Sequence, residues 1–400
     1  MIPRSASITL ARLARGFPVV AITGPRQSGK STLARAQFPE HPYVTLEDPD
    51  TRRLALADPR RFLDRFPGGA VFDEVQRAPE LLSYLQGRVD EHQRMGEFVV
   101  TGSQQFGLMD SIAQSLAGRV GLLQLLPLSQ AELRQTELYR TELRTAADAR
   151  GRTRSATLEA RLWHGGYPSL HANHRSVEPD AWFAAYVGTY LERDVRQVLN
   201  ISNLALFQRF VLMCAARSAQ LLNLSSLASD CGISQPTARQ WLTVLQASYV
   251  VGLLPPYHRN FGKRLVKTPK LHFLDSGLLC HLLRIPDPLA LQTHAMRGAV
   301  FESWVVSEVI KHRYNLGLAA DLYFWRDNHG HEVDLVYEDH GRMQAIEVKS
   351  GTTFAMDWLG AARRWRAMAG AEAARPIVLY GGADSFELAD ASVMSWSALG

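Results

Sequence analysis

The loop GPRQSGKS at residues 24–31 constrains the fold of this chain more than any other feature. It follows a short apolar segment, PVVAIT, and precedes a segment with helix-forming character, TLARAQF. The loop matches the pattern GxxxxGK[ST], and it does so in the strand–loop–helix setting that the pattern requires. The sequence therefore predicts a phosphate-binding loop in an α/β domain.

The spacing of this loop suits nucleotide phosphates and a magnesium ion. Small residues allow backbone N–H groups to curl around phosphates at the N-terminus of a helix. Lys30 is expected to reach the outer phosphates, and the Ser31 hydroxyl is expected to ligate Mg²⁺. We therefore predict ATP and Mg²⁺ as ligands. The predicted nucleotide contacts are Gly24, Pro25, Arg26, Gln27, Ser28, Gly29, Lys30, Ser31 and Thr32.

Four further strand-like segments follow: YVTLED, AVFDEVQ, EFVVTGS and VGLLQLLPLS. Polar segments with helix-forming character separate them, which is typical of a parallel α/β sheet. One of these strands ends in Asp73, predicted to hold Mg²⁺, and Glu74, predicted to orient or deprotonate the attacking water. The next brings Thr101 and Ser103 to the same edge, where a hydroxyl can sense the γ-phosphate. A plain turn is the alternative interpretation of those two residues.

The order of these motifs resembles an AAA-type ATPase: a phosphate loop, the acidic strand FDE, the polar strand VVTGS, and a helix ending at SLAGR before the fifth strand. Together with the phrases LLPLSQAEL, GGYP and YLERDV, nearly the whole chain resembles a prokaryotic AAA family whose ATPase core precedes a C-terminal domain of unknown function. The resemblance implies that Arg119 is an arginine finger acting on a neighbouring subunit, and hence a homo-oligomer. The alternative is an exposed arginine favoured by the dipole at a helix C-terminus.

The segment SSLASDCGISQPTARQWLTVLQ predicts a helix-turn-helix. A first helix covers 225–230, and Ser234 is the expected cap of the second. The second helix offers only Arg239 as a cation, but the segment after it carries basic residues suited to phosphate contacts. These residues are His258, Arg259, Lys263, Arg264, Lys267 and Lys270. Two interpretations stay open: a basic wing that binds DNA, or a domain packed against the ATPase with its basic residues facing solvent or partner acids.

In the C-terminal part, VDLVYEDHGRMQAIEVK predicts a β-hairpin with a two-residue turn at His340-Gly341. The cross-strand pairs set by this turn are Leu335 with Ile346, Val336 with Ala345, and Asp334 with Glu347. The predicted apolar face consists of Val333, Leu335, Ile346 and Val348. Asp334, Glu347 and Lys349 are expected to converge on the other face.

A third acid, Glu302, lies in GAVFESWVVSEVIKH on a helical face shared with three valines. A carboxylate on an apolar stripe is costly unless it is paired or bound to a metal. Glu302, Asp334 and Glu347 are therefore predicted to hold Mg²⁺ for phosphodiester cleavage, with Lys349 steadying the attacking water or the developing charge.

This arrangement resembles the PD-(D/E)xK nuclease superfamily, although Val333 stands where that superfamily has a proline. The alternative is a domain that binds nucleic acid or serves as a scaffold. The expected units are an AAA-type core at 1–135, a linker and helical lid at 136–200, a winged-helix-like domain at 201–285 and a nuclease-like domain at 286–400. The arginine-rich, apolar-poor residues 134–161 indicate the first boundary.

The composition fits a globular protein, since 46% of the 400 residues are hydrophobic, and the formal charge of +5 is compatible with an acidic partner. The three cysteines have no metal-ligand spacing, and no apolar run approaches the roughly 18 residues of a membrane span. We expect a cytoplasmic protein without membrane partners. We predict magnesium-dependent ATP hydrolysis coupled to a DNA-directed C-terminal domain with a nuclease-like site. The alternative is an ATP-gated regulator that binds DNA or a protein partner without cleavage.

Overall fold

The computed structural model describes residues 2–103, 112, 114–136, 157–172, 177–191, 203–257 and 267–399. The described residues form three sheets, of five, three and six strands. We call the parts that contain them the N-terminal unit (up to 136), the middle unit (157–293) and the C-terminal unit (297–399). The α/β fold class expected from the sequence is confirmed, while the bounds of the four expected domains stay predictions.

The N-terminal unit is built on a parallel sheet. Its strands are β1 (Val19–Thr23), β2 (Tyr43–Thr45), β3 (Ala70–Asp73), β4 (Phe98–Gly102) and β5 (Val120–Gln124). The order β2-β3-β4-β1-β5 places β4 between the strand before the phosphate loop and the strand that ends in the acidic pair. β1, β3 and β4 are buried along their whole length, which explains their continuous apolar sequences. Each of the five predicted strand segments contains a strand.

Helices cover both faces of this sheet. They are α1 (Ala6–Gly16), α2 (Lys30–Gln37), α3 (Pro49–Ala57), α4 (Pro59–Asp64) and α5 (Leu81–His92). α3 and α4 each begin with a proline directly after an aspartate whose side chain caps the helix. Alternate strand residues face opposite sides, so two apolar clusters form, one containing Phe72 and Phe98 and the other containing Leu10 and Leu33.

The middle unit combines helices with a small antiparallel sheet. Its helices are α6 (Leu158–His164), α7 (Pro168–His171), α8 (Pro179–Tyr186) with a π-helix (Val187–Leu191), α9 (Leu204–Ala215), α10 (Leu224–Cys231), α11 (Gln235–Ala247), α12 (Ser276–Leu282) and α13 (Pro288–Thr293). The strands are β6 (Gln220–Leu221), β7 (Val251–Leu254) and β8 (Lys270–Phe273), with β8 in the centre. The predicted helix-turn-helix corresponds to α10 and α11, and Ser234 caps α11 as expected.

Several predictions for this region fall on residues outside the described ranges. They are most of the linker at 134–161, part of the expected lid, and the basic residues His258, Arg259, Lys263 and Arg264. None of the helices in the described part of the chain has both the length and the apolar character needed to cross a membrane.

The C-terminal unit has a mixed sheet of order β13-β14-β12-β11-β10-β9. Its strands are β9 (Leu322–Arg326), β10 (Glu332–Asp339), β11 (Arg342–Lys349), β12 (Ile377–Tyr380), β13 (Phe386–Glu387) and β14 (Ser392–Ser395), and its helices are α14 (Arg297–Asn315) and α15 (Gly360–Ala369). The predicted hairpin joins β10 and β11, and its register is confirmed by the pairs Leu335–Ile346 and Val336–Ala345.

The predicted apolar face of the hairpin is wrong at Val333. The pairing of β10 with β9 is irregular between Val333 and Val336, so simple alternation along β10 is interrupted. As a result Val333 packs in one buried cluster with Val336 and Trp365 of α15. Leu335 instead belongs to the large cluster that includes α14 and extends into the middle unit.

Candidate functional sites

The phosphate loop connects β1 to α2 at the carboxyl edge of the parallel sheet. Gly24 has a φ of 151°, and a Cβ atom there would lie 2.1 Å from the carbonyl oxygen of Leu125. Gly29 is the N-cap of α2, with a left-handed φ of 93°. Lys30 Nζ donates hydrogen bonds to the carbonyl oxygens of Gly24 at 3.0 Å and Pro25 at 2.8 Å. The ammonium therefore lies against the loop itself.

The other predicted contacts in the loop have different surroundings. Arg26 forms an ion pair of 3.8 Å with a glutamate that follows β2. Gln27 accepts a hydrogen bond of 2.9 Å from Ser169 of the middle unit. Ser28 is buried, and its hydroxyl has no hydrogen-bonding partner among the described residues, whereas Thr32 is exposed on α2.

Asp73 ends β3 and collects three hydroxyl groups. Ser31 donates to its carboxylate at 2.7 Å and Tyr43 at 2.6 Å, and Thr101 donates to the same oxygen as Ser31. Burial and the hydrogen bond with Asp73 raise the pKa of the Tyr43 hydroxyl, which therefore stays protonated. The structure thus brings together the two residues predicted to hold Mg²⁺ in this unit. Tyr43 was not predicted, because its contact with Asp73 follows from the pairing of β2 with β3.

Glu74 has a left-handed backbone, with φ 57° and ψ 45°. This conformation costs a residue other than glycine about 1–2 kcal/mol, and such strain concentrates at functional sites. The Glu74 carboxylate accepts hydrogen bonds from Ser103 Oγ at 3.0 Å and from Gln76 Nε2. Gln76 Nε2 also donates to Ser103 at 3.2 Å. The predicted base and the predicted hydroxyl sensor therefore touch each other.

Arg4 supports the loop and was not predicted. Its guanidinium donates to the carbonyl oxygen of Ser28 at 2.6 Å and to that of Leu126 at 2.7 Å. Its Nε donates to Glu132 at 3.1 Å, and the side chains of Arg4 and Glu132 are 8% and 0% exposed. The phosphate loop is therefore tied to a buried ion pair.

Arg119 lies directly before β5, at the amino edge of the sheet and so at the opposite edge from the phosphate loop. Its carbonyl oxygen accepts a hydrogen bond of 3.2 Å from the N–H of Val19, the first residue of β1. Its guanidinium donates two hydrogen bonds to Asp90, at 2.5 and 2.9 Å. Arg119 is therefore not part of the phosphate site of its own chain, and its role as a finger stays a prediction.

The groups at the first site fit a nucleotide with Mg²⁺. Lys30 and the N–H groups at the start of α2 suit phosphate oxygens. The Ser31 hydroxyl and the Asp73 carboxylate, 2.7 Å apart, are the kinds of oxygen ligand that Mg²⁺ prefers.

A second charged cluster lies in the C-terminal unit. Lys270 Nζ lies 2.8 Å from Glu302 of α14, 2.5 Å from Glu332 and 3.6 Å from Asp334 of β10. Asp334 also accepts a hydrogen bond of 2.9 Å from the N–H of Val348, so its carboxylate bridges β10 and β11. The interpretation of Lys270 as part of a DNA-binding basic wing is wrong, because all four residues of β8 are buried. Its partners are acids, which the alternative interpretation allowed.

Glu347 and Lys349 lie beside this cluster on β11. Lys349 Nζ donates to one oxygen of Glu347 at 2.5 Å. The other oxygen of Glu347 has no hydrogen-bonding partner among the described residues. Burial and the negative charge of Asp334 raise the pKa of Glu302 and that of Glu347 to about 8. The structure thus collects the four side chains that the nuclease resemblance named.

This cluster does not fit a metal ion in the arrangement observed. In the part of the chain that the structure describes, no three acidic, histidine or cysteine side chains are grouped so as to hold a metal. The ammonium of Lys270 lies 2.8 Å from an oxygen of Glu302 and 3.6 Å from one of Asp334, two of the three predicted ligands. The carboxylates are assembled, but a lysine provides the compensating charge.

Buried hydrogen bonds connect the N-terminal unit to both other units. Tyr249, between α11 and β7, shares a hydrogen bond of 3.0 Å with Thr23, the last residue of β1. Glu308 of α14 accepts a hydrogen bond of 2.6 Å from the N–H of Gln130 and one of 2.8 Å from Lys311. The strand that leads into the phosphate loop is therefore in direct contact with the middle unit.

Three family models match successive parts of the chain. An AAA domain matches residues 16–134, a domain of unknown function (DUF8612) matches 155–289, and a second domain of unknown function (DUF4143) matches 297–399. The AAA match includes the phosphate loop, Asp73, Glu74 and Ser103. The AAA-type core expected from the sequence is confirmed.

Two relatives match along almost the whole chain. They are uncharacterized protein Rv2008c of Mycobacterium tuberculosis and uncharacterized protein Mb2031c of Mycobacterium bovis. Each is 34% identical over 395 residues, which cover 98% of this chain and 82% of the relative. Among solved structures, the Walker-type ATPase PABY2304 of Pyrococcus abyssi is 16% identical; the match covers 71% of this chain and 96% of that chain, with a TM-score of 0.49.

Proposed function

The chain belongs to the same family of AAA-domain proteins as these two mycobacterial relatives, and we propose that it hydrolyses ATP with Mg²⁺. The observation that carries the proposal is the convergence of Lys30, Ser31, Asp73 and Glu74 at the carboxyl edge of one parallel sheet. An ammonium, a hydroxyl and two carboxylates are the groups that transfer of a phosphoryl group from ATP to water requires.

In this proposal the loop N–H groups and Lys30 bind the phosphates. The Lys30 ammonium is already held by two loop carbonyl oxygens, so it reaches a phosphate by exchanging hydrogen-bonding partners. Ser31 and Asp73 would hold Mg²⁺, whose charge stabilises the negative charge of the transferred group.

Glu74 is the proposed base that orients and deprotonates the attacking water. Its carboxylate is held by Ser103, which follows β4, and by Gln76, two residues after Glu74 in the chain. Because the Ser103 hydroxyl contacts Glu74 directly, it can report the presence of a γ-phosphate to the base. We therefore assign Ser103 a positioning role.

The experiment that tests this function is phosphate release from ATP, with and without Mg²⁺. Lys30→Ala should abolish turnover, because the charge that positions the phosphates is lost. Lys267→Ala removes an exposed lysine of the middle unit and should leave turnover unchanged. Circular dichroism should show equal helix content in the three proteins. Wild-type turnover in folded Lys30→Ala, or turnover independent of Mg²⁺, would refute the assignment.

A second function, action on DNA, is proposed for the C-terminal unit. The observation that favours it is the assembly of the side chains that resemble a nuclease site. They are Glu302, Asp334, Glu347 and Lys349. An exposed cation on the middle unit, Arg239, suits a phosphate contact. The ammonium of Lys270 lies among these carboxylates in place of a metal ion. This position favours the competing role, an ATP-gated regulator that binds DNA or a protein partner without cleavage.

Two assays separate these roles. DNA affinity that falls steeply as salt rises indicates phosphate contacts. Nicking of supercoiled plasmid that depends on Mg²⁺ and is lost in Lys349→Ala shows cleavage, whereas DNA binding without nicking supports the regulator. No DNA affinity at low salt would contradict both DNA-directed roles and leave a protein as the partner.

A further inference from the structure

Lys270 joins two units of the chain at a buried position. It is the first residue of β8 in the middle unit, and its ammonium lies among carboxylates carried by α14 and β10 of the C-terminal unit. Only 3% of the residue is exposed. Lysine is almost never buried to this extent unless it is paired, so the contact is electrostatic in origin.

The carboxylates of this cluster need compensating positive charge. The groups that meet here are Glu302, Glu332, Asp334 and Glu347 with Lys270 and Lys349, and Arg326 also lies 3.4 Å from Glu332. The three carboxylates within 4 Å of its ammonium stabilise the charged form of Lys270. Removing this ammonium would leave buried carboxylates that must take up protons or another cation.

The donors around Lys270 have the chemistry of a divalent-cation site. They are carboxylate oxygens, which Mg²⁺ and Mn²⁺ prefer over nitrogen or sulfur. Lys270 Nζ approaches Glu302 and Glu332 at 2.8 and 2.5 Å. A divalent cation bound to the same oxygens would lie directly beside the ammonium. Two positive groups in direct contact repel each other strongly in a buried site. The lysine and the metal therefore exclude one another.

We propose that Lys270 is a built-in counter-ion that fills the cation position of this cluster, so that the C-terminal unit binds a divalent cation only when the ammonium is withdrawn. Only the consequence for DNA cleavage rests on the proposed DNA-directed function. With Lys270 in place, the metal ion that cleavage would need is kept out. β8 pairs with β7, and Lys270 lies opposite Leu254 in this pairing. β7 begins two residues after Tyr249, whose hydroxyl contacts the strand that leads into the phosphate loop. The lysine is thus carried by a strand connected to the nucleotide site.

The test is a calorimetric titration of Mn²⁺ into the whole chain without nucleotide. Lys270→Met replaces lysine with an uncharged side chain of similar length and so removes the ammonium. This variant should bind one more Mn²⁺ per chain than the wild type. The matched control Lys267→Met removes an exposed lysine three residues away and should bind Mn²⁺ as the wild type does. Lys270→Met combined with Glu302→Gln should lose the added site. The wild type and the three variants all keep the phosphate site. Any Mn²⁺ bound there therefore does not affect the difference in Mn²⁺ bound per chain.

A second measurement uses the wild-type protein and so does not depend on the folding of a variant. In acylation followed by mass spectrometry, Lys270 should react roughly tenfold or more slowly than Lys267, because reaction requires local opening. Equal acylation rates would overturn the proposal, and so would a folded Lys270→Met that binds no more Mn²⁺ than Lys267→Met.

A plasmid-nicking assay on the same proteins separates this inference from the proposed function. An added Mn²⁺ site without nicking in Lys270→Met supports the counter-ion role and contradicts the nuclease role. Nicking by the wild type, with no added site in Lys270→Met, contradicts the counter-ion role alone.

Discussion

Replacing Arg4 with alanine should destabilise the protein and weaken its phosphate loop. The Arg4 guanidinium donates three hydrogen bonds, two to the carbonyl oxygens of Ser28 and Leu126 and one to Glu132. The side chain of Glu132 is fully buried. Arg4→Ala therefore leaves a buried carboxylate without its guanidinium and releases one carbonyl oxygen of the loop.

These contacts determine how much stability Arg4→Ala should lose. Removing one partner of a buried ion pair costs about 3–5 kcal/mol, because the other charge stays buried. Glu132 keeps two hydrogen bonds from backbone N–H groups, at 2.8 and 2.9 Å, which reduces this penalty. Water entering the space left by the side chain can reach the two carbonyl oxygens. We therefore expect the free energy of unfolding to fall by about 3 kcal/mol, at the low end of that range.

Urea unfolding should be compared for Arg4→Ala and Arg12→Ala. Arg12 is a suitable control because it makes an exposed hydrogen bond to the carbonyl oxygen of Leu316, and its loss should cost no more than about 0.5 kcal/mol. Affinity for a fluorescent ATP analogue should also fall in Arg4→Ala, because the carbonyl of Ser28 belongs to the loop. Unfolding free energies that agree within about 0.5 kcal/mol for the two variants would refute the reasoning.

Three further changes have expected outcomes. Tyr249→Phe removes the buried partner of Thr23 and should lower the urea-unfolding free energy by about 1–2 kcal/mol, whereas exposed Tyr84→Phe should not. The pKa of Glu302 is about 8 in the folded chain and 4.5 in the unfolded chain, so the stability contributed by its proton is full below about pH 4.5 and is lost as the pH rises through 8. In thermal melts the melting temperature should therefore fall more between pH 5 and pH 8 in the wild type than in Glu302→Gln. Arg119→Ala should reduce ATP turnover with little loss of affinity, and mixing it with Lys30→Ala should restore activity; no rescue between exchanging subunits would contradict a finger.

Local sequence patterns predicted the features that depend on local chemistry. The loop motif and the apolar segments located the phosphate site and the parallel strands, because fully buried parallel strands need continuous apolar sequence. The hairpin register followed from its two-residue turn. His340 and Gly341 have φ values of 48° and 77°, the positive values that such a turn requires.

Features that depend on distant contacts were missed or misjudged. Glu302 and Lys270 are 32 residues apart in the chain, and Arg4 and Glu132 are 128 apart, so spacing could not pair them. The sequence contained one indication that Lys270 is buried and paired. This residue begins the apolar segment KLHFL, where an unpaired charge is costly. The position of Val333 depends on an irregular pairing with β9, which strict alternation along one strand does not reveal.

ATP turnover and ATP binding by Glu74→Gln test the central claim most directly. Glutamine keeps the size of the side chain and an oxygen that can accept the Ser103 hydrogen bond, but it cannot act as the base. We predict an ATP affinity within about twofold of the wild-type value and turnover lower by about 10²- to 10⁴-fold. Turnover at the wild-type rate in the purified variant would contradict the account of Glu74 and of the site built around it.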